Sequence, residues 1–433
     1  MNRVALLSIA LGISCLFLSS PAESIALQAQ DEVPTIQLDV NKILIPVVVR
    51  NKSGRIVDDL KQEDFQVFDE DKPHAISSMT VEKHASAPAS EPSTQGSNQP
   101  SAPDTPATRP APSPQRFIVL LFDDLHLSNE NLAQAKAAAV KVLSDVLVDR
   151  DIGAVISLSQ KTNSGLTRDR KRLQDAIMSL QSHSIYKSDA MQCPNIGYYQ
   201  ADLIVNKHDN EAFQEAVSEV FSCEPGLDPT RDRMVAENEA TSASRRVLAL
   251  GHQDAQATYD SIAAFVRPMA NLPGERIMIL VSPGFLRIEQ DSLASESRLM
   301  NLAAKSDVTI SALDARGLYI TAITASEKSP ALTGGSLQKN ADYLSSTQRQ
   351  AEDPLAELAN ATGGTFFHNN NDLGEGLKNL AKVPEIVYVL ELSADGVKQD
   401  GSYHSLKIKV TRDGMKIQAR RGYSMPKQGK NKK

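Results

Sequence analysis

Between Asp123 and Ser128 the chain sets two carboxylates, an imidazole and a hydroxyl in one short turn, in the order Asp-Asp-Leu-His-Leu-Ser. Oxygen donors of this kind suit Mg2+ or Ca2+, which take carboxylates, hydroxyls and water as ligands. The same groups can present hydrogen bonds to a polypeptide, or cap the following helix and bond loop amides. Immediately upstream, residues 117–122 form an unbroken apolar run, FIVLLF. Such a run predicts a strand buried on both faces of a parallel sheet, and open α/β sheets take their ligands outside the carboxyl ends of their strands. The strand is therefore read as the centre of the main domain and Asp123, Asp124, His126 and Ser128 as its candidate site.

Two further strand ends bring polar groups to the same edge: Ser282 in VSPGF and Arg316 in LDARGL. Enzymatic readings find little support. The eight histidines are scattered, with no His-x-x-x-His, no Gly-x-Ser-x-Gly and no phosphate-binding glycine loop. Ser282 lacks the glycine that a nucleophile elbow places before its serine. A transition-metal site at His126 lacks a second histidine.

The net charge is -7, with no basic half or arm, so nucleic acid is not an expected partner. The one basic cluster is the tail 425–433, read as a solvated terminus. Residues 1–22 read as an export signal: Arg3, an apolar stretch over 4–18, and Ser20-Pro21-Ala22 as cleavage site, with Ala26 as an alternative. Cys15 has Gly12 where a lipoprotein signal wants an aliphatic residue, which disfavours a lipid anchor. No later stretch reaches the roughly 18–20 apolar residues of a membrane span. The mature chain is expected to be secreted or periplasmic. There Cys193 and Cys223, flanking a helical segment, form a reasonable disulfide worth roughly 3–4 kcal/mol, with two buried free thiols as the alternative.

Around the candidate strand the chain falls into segments. Residues 33–83 carry alternating apolar positions and turns, a β-rich unit too small to stand alone. Residues 84–115 are a Pro/Ser/Ala linker with almost no large apolar residue, expected to be disordered. From 116 to 383 strand and helix patterns alternate, which predicts an α/β, doubly wound, mostly parallel sheet of Rossmann type. A helical insertion is expected at about 189–233, a long helix over 231–270 with a break near Gly251, and a long polar loop over 321–351. Residues 384–424 return to period-two alternation with Asp-Gly turns, and are expected to form an accessory β-sandwich with the N-terminal strands.

These stretches together resemble the von Willebrand factor A superfamily, in particular the acidobacterial group of exported VWFA-related proteins. The likeness is carried by VVVRNKSGRIVDDLKQEDFQVFDEDKPHAI at 47–76, FIVLLFDDLHLS at 117–128, LTRDRKRLQDAI at 166–177 and IMILVSPGF at 277–285. It continues through ISALDARGL at 310–318, LAELANATGGTFFHNNNDLGEGL at 355–377, and the closing VYVLEL and HSLKIKVTRDGMKIQARRGY. The resemblance implies a VWA-like sheet and a metal site built from Asp-x-Ser-x-Ser, a Thr from a second loop and a later Asp. Here the pattern is degenerate. Registered on Asp124, His126 replaces the first Ser and Ser128 keeps the second; registered on Asp123, Leu125 and Leu127 fill both positions. Ser282 stands in place of the later Asp, and Ser182, Ser184 and Ser188 are candidates for the second loop.

The expectation is thus an exported, non-enzymatic module that recognises an as yet unspecified protein or peptide at the carboxyl edge of the sheet through Asp123, Asp124, His126, Ser128, Ser282 and Arg316. No cofactor is required by this reading. One alternative is divalent-cation-dependent adhesion, with Mg2+ or Ca2+ held by Asp124 and Ser128. Another is a structural envelope protein assembled through its β-sandwich.

Overall fold

A computed structural model describes residues 42–83, 116–183, 194–288, 290–318, 334–398 and 403–425. The expected export signal, the Pro/Ser/Ala linker, Cys193, Ser184, Ser188 and the basic tail beyond Met425 lie outside the described residues.

The apolar run becomes β5 (Arg116–Phe122), in which all seven residues are buried. It pairs in parallel with β6 (Ile152–Ser157) on one side and β7 (Glu275–Ser282) on the other; β8 (Val308–Asp314) and β9 (Phe366–Phe367) continue the sheet in the order β6-β5-β7-β8-β9. Alternation along β5 sends Ile118, Leu120 and Phe122 to one face, against α1 (Asn129–Val146), α2 (Arg170–Ser179) and α8 (Leu373–Ala381). Val119 and Leu121 go to the other, against α5 (Arg233–Met269), α6 (Gln290–Lys305) and α7 (Gly334–Thr362). The fold is therefore α/β with helices on both faces of a five-stranded parallel sheet.

The terminal strands make two antiparallel sheets around their own core. One has the order β12-β1-β10-β4, from β1 (Lys42–Arg50), β4 (Ile76–Lys83), β10 (Ile386–Ser393) and β12 (Lys416–Ala419). The other has the order β13-β11-β2-β3, from β2 (Phe65–Asp69), β3 (Lys72–His74), β11 (Tyr403–Val410) and β13 (Gly422–Ser424). Strands from the two ends of the chain alternate in the first sheet and meet at the β11–β2 pair in the second. Ile45, Val47, Phe65, Tyr388 and Leu390 fill the space between them. The Tyr388 hydroxyl donates to the Val57 carbonyl at 2.9 Å and accepts the Leu60 N–H at 3.2 Å, which fixes the 51–64 connection over this core.

Two expectations are corrected. No break occurs at Gly251: α5 runs unbroken for 37 residues. The glycine serves instead for close approach, since a Cβ there would lie 2.5 Å from the Tyr198 ring of α3 (Tyr198–Val205). With α4 (Asn210–Cys223), α3 packs its apolar face on the first half of α5, and this is the insertion. The second correction concerns the polar loop over 321–351, whose later part is the first half of α7. Tyr343 there packs on the insertion core, and Ala351, Leu355 and Leu358 are buried, so tertiary contact makes a helix of a segment whose composition is mostly polar.

Candidate functional site

The parallel ladder carries on past β5, with the Asp123 N–H donating to the Val281 carbonyl at 2.9 Å. The chain then turns back on itself: the Leu127 N–H reaches the Asp123 carbonyl at 3.0 Å, and the fully buried Leu127 plugs the turn from below. This geometry aims the Asp123 side chain inward. Its carboxylate accepts the His126 N–H at 3.1 Å and the Ser282 hydroxyl at 2.6 Å, and faces His126 Nδ1 at 2.8 and 2.9 Å. The opposite ring nitrogen, Nε2, lies 2.7 Å from Asp254 Oδ2 on α5. Phe285, from the same VSPGF segment as Ser282, stacks on the imidazole at 5.9 Å and meets Tyr259 edge-on at 5.1 Å.

A ring with carboxylate oxygens at both nitrogens satisfies both contacts only as the doubly protonated imidazolium. Burial works against that charge, but the Asp123 charge and the hydrogen bonds to Asp123 and Asp254 outweigh it and raise the His126 pKa to about 10. His126 is thus a fixed cation, outside the range in which histidine acts as a physiological pH switch.

Asp124 is enclosed by a different set. It accepts the Ser159 N–H at 2.9 Å and the Ser159 hydroxyl at 2.5 Å, and lies 3.0 Å from His183 Nδ1, while its carbonyl accepts the His183 N–H at 2.7 Å. Ser159 follows β6 and supplies the second-loop hydroxyl that sequence reasoning sought further on. Ser182 donates instead to the Leu127 carbonyl at 2.6 Å. Ser128 caps α1, its hydroxyl accepting the Asn131 N–H at 3.1 Å. Arg316 forks onto Asp314 at 2.9 and 2.7 Å and reaches Glu352 of α7 at 3.2 Å.

The structure therefore brings Asp123, His126 and Ser282 into one cluster and Asp124 into a neighbouring one, and corrects the expectation that these groups face a partner. Asp123 and Ser282 are 0% exposed and Asp124 is 1% exposed. Arg316 is likewise spent on a largely buried ion pair. Only Ser128 of the six is exposed, and it is engaged as a cap. The physical reason is that a buried carboxylate must be paired, and this fold supplies the partners internally. Asp254 and Ser159 were missed because their positions carry no local pattern that marks them as partners of the turn.

The metal that the resemblance implies does not fit these residues. Both oxygens of Asp123 and both of Asp124 already accept hydrogen bonds, and the Ser128 hydroxyl is held at the helix cap. Asp254 Oδ1 is a buried oxygen without a hydrogen-bond partner among the described residues. One such oxygen beside an imidazolium does not make the all-oxygen shell that Mg2+ requires. The Asp124 and Ser128 metal expectation is corrected accordingly.

A second candidate lies on the flank of the sheet. Beside β9, between the α/β layers and the β-sandwich, is a groove of about 1190 Å³. Its lining includes Phe366 and Phe367 of β9, and five cations, Arg50, Arg55, Lys382, Lys416 and Arg421, against two carboxylates, Asp58 and Glu385. Lys382 pairs with Glu385 at 3.1 Å and Arg421 with Glu357 at 2.9 Å, whereas Arg50, Arg55 and Lys416 have no carboxylate partner among the described residues. β9 pairs only with β8, so its other edge is unpaired within the described sheet.

No protein-family model and no curated protein matches the chain. A solved structure, described as the conserved hypothetical protein BatB from Bacteroides thetaiotaomicron, is similar over 61% of this chain and 95% of its own, at 12% identity and a TM-score of 0.26. At that level the chain's own residues must carry any reading of function. Among the described residues no helix is long and apolar enough to cross a membrane.

Proposed function

We propose that the chain is an exported, non-enzymatic, cation-independent binding module that takes an extended acidic segment of a partner protein into the groove beside β9. The observation that carries this reading is the charge imbalance of that groove, five cations to two carboxylates, next to an unpaired strand edge. Extended peptides bind such edges by main-chain hydrogen bonds, while lining side chains select the sequence. The recognition surface thus moves from the carboxyl edge of the sheet, where the expected groups are buried, to its flank. The non-enzymatic reading is supported by Ser282, whose hydroxyl donates to Asp123 and is shut away from solvent.

The test is fluorescence anisotropy with two short labelled peptides, one alternating Glu and Val and one alternating Lys and Val. The acidic peptide is expected to bind, the basic one not, and EDTA to change nothing. Reversing two groove charges in R55E/K416E should weaken the acidic peptide about tenfold, the effect of roughly 1.4 kcal/mol. Equal binding of the two peptides, or indifference to R55E/K416E, refutes the groove. Loss of binding in EDTA would instead favour cation-dependent adhesion.

A further inference from the structure

We propose that Asp69, Glu70 and His404 bind a divalent first-row transition ion, Zn2+ being the one their chemistry fits, and that the ion clips the two ends of the chain together in the second antiparallel sheet. This inference is independent of the groove, whose lining includes none of the three. Oxygens of Asp69 and Glu70 and a ring nitrogen of His404 all lie within 4.8 Å of one another. Strand register puts them there. Along β2 the inward row is Phe65, Val67 and then Asp69, a carboxylate where an apolar residue would continue the core. Asp69 lies opposite Leu406 of β11, and two residues earlier on the same face His404 lies opposite Tyr423 of β13. Glu70 follows at the turn, where its N–H donates to the Ser405 carbonyl at 3.0 Å and its Oε1 accepts the Ser405 N–H at 2.9 Å.

The observation that points to an ion is Asp69 Oδ1, which is shut away from solvent and accepts no hydrogen bond among the described residues. A buried carboxylate oxygen left unpaired is costly, and calls for a water or an ion. His404 Nδ1 stands 3.8 Å from it, beyond hydrogen-bond length but close enough for the two to share an ion. Arg420, between β12 and β13, donates to the Leu44 carbonyl at 2.5 Å and faces Asp307 at 3.7 Å rather than Asp69. The surroundings hold the donors as metal ligands are held. The Tyr423 hydroxyl donates to Asp69 Oδ2 at 2.8 Å, and its ring stacks on the imidazole at 5.0 Å and 14°. One imidazole with two carboxylates suits Zn2+, whereas Mg2+ and Ca2+ take oxygens alone. Ligands of a tetrahedral Zn2+ at about 2.0–2.2 Å stand about 3.4 Å apart, so the shell closes with at most about 1.4 Å of approach, water taking the fourth position. Because His404 is far from Asp69 and Glu70 in sequence, the ion closes a long loop, the case in which a clip gains most in theory.

The experiment titrates Zn2+, Ca2+ and Mg2+ separately into the untagged full chain, stripped beforehand with EDTA, and follows thermal unfolding with each ion. Co2+ then locates the site through paramagnetic broadening of the amides of residues 69–71, 404 and 423. A single Zn2+ should bind and raise the Tm, as a ligand of the native state alone does, while Ca2+ and Mg2+ leave it unchanged. His404→Phe keeps an aromatic ring against Tyr423 and removes the nitrogen; Glu70→Gln removes a charge at an exposed position and should fold normally. Each should weaken Zn2+ at least about tenfold, no less than the loss of a group that merely orients a ligand, and abolish most of the Tm gain. Wild-type affinity in either variant, broadening centred elsewhere than on these amides, or a Tm that Ca2+ raises as far as Zn2+ does overturns the proposal, and so does a wild-type Tm that Zn2+ does not move. If His404→Phe does not fold, Glu70→Gln alone decides by the same readings.

Discussion

Replacing His126 with Gln should destabilise the fold in a way that depends on pH. Gln retains a donor and roughly the volume but no charge, so Asp123, at 0% exposure, and Asp254 lose the cation they share. Removing one partner of a buried ion pair costs about 3–5 kcal/mol, because the other charge stays buried and uncompensated. Against a total of about 5–15 kcal/mol for a typical domain, the variant should still fold. The pH dependence follows from a pKa raised from 6.5 to about 10, where burial opposes the rise and the two carboxylates prevail. A group raised in the folded state contributes fully below its unfolded pKa, and that contribution is lost as the pH climbs through the folded value. Wild type and His126→Gln should differ by several kcal/mol at or below neutral pH and converge as the pH approaches about 10, when the wild-type ring also becomes neutral. Urea denaturation across that range, with equal slopes confirming comparable unfolding, measures the gap. A gap that stays constant up to alkaline pH, or one below about 1 kcal/mol at neutrality, refutes the buried imidazolium bridge.

Glu219 is 6% exposed, and burial pushes its pKa up to about 7, opposed by a backbone hydrogen bond from Asn195 and reinforced by Glu215. Its stabilising contribution is therefore full below about 4.5 and lost as the pH rises to about 7, so Glu219→Gln should raise stability at mildly alkaline pH by up to about 3 kcal/mol and flatten the urea-midpoint profile; an unchanged profile counts against this. At the amino end of the sheet, Arg116 binds Asp151 at 3.0 and 2.5 Å with both side chains nearly enclosed. Asp151→Ala should cost about 3–5 kcal/mol in denaturant titration, and a loss under about 1 kcal/mol would show that the guanidinium finds another partner. Gly251→Ala sets a gain of about 1 kcal/mol in helix propensity against overpacking of about 1–3 kcal/mol, since the new Cβ would sit 2.5 Å from the Tyr198 ring. Overpacking should win, with faster amide exchange in α3, and a neutral or stabilised variant would contradict the packing described here.

What could be read from the sequence was what local pattern controls. The apolar run 117–122 marks β5, Ser128 before a helical stretch marks the α1 cap, and Gly363 at the end of α7, with φ +80, marks a left-handed stop. The first half of α7 went unread because its polar residues are held helical by neighbours far away in sequence, among them the insertion core that takes Tyr343. The site divides in the same way. The acidic turn and Ser282 stand out as residue types at strand ends, but whether a carboxylate points out or in depends on what lies across from it. Asp254 is 128 residues from His126, and Ser159 is 35 residues from Asp124. No periodicity or short motif encodes such pairings, so a turn that reads as a ligand site can fold into a closed one.

Two constraints on α5 meet within one turn of helix. Asp254 receives His126 Nε2 at 2.7 Å and fixes α5 against the carboxyl edge of the sheet; Gly251, three residues earlier, admits the Tyr198 ring and seats the insertion. A helix rises about 5.4 Å per turn, so a slip of α5 by one turn would carry Asp254 beyond hydrogen-bond reach of the imidazole and set a Cβ-bearing residue against Tyr198. Both contacts therefore select the same register, one by charge and the other by shape. The internal cation does more than balance Asp123: it holds the helix that carries the insertion in place over the sheet.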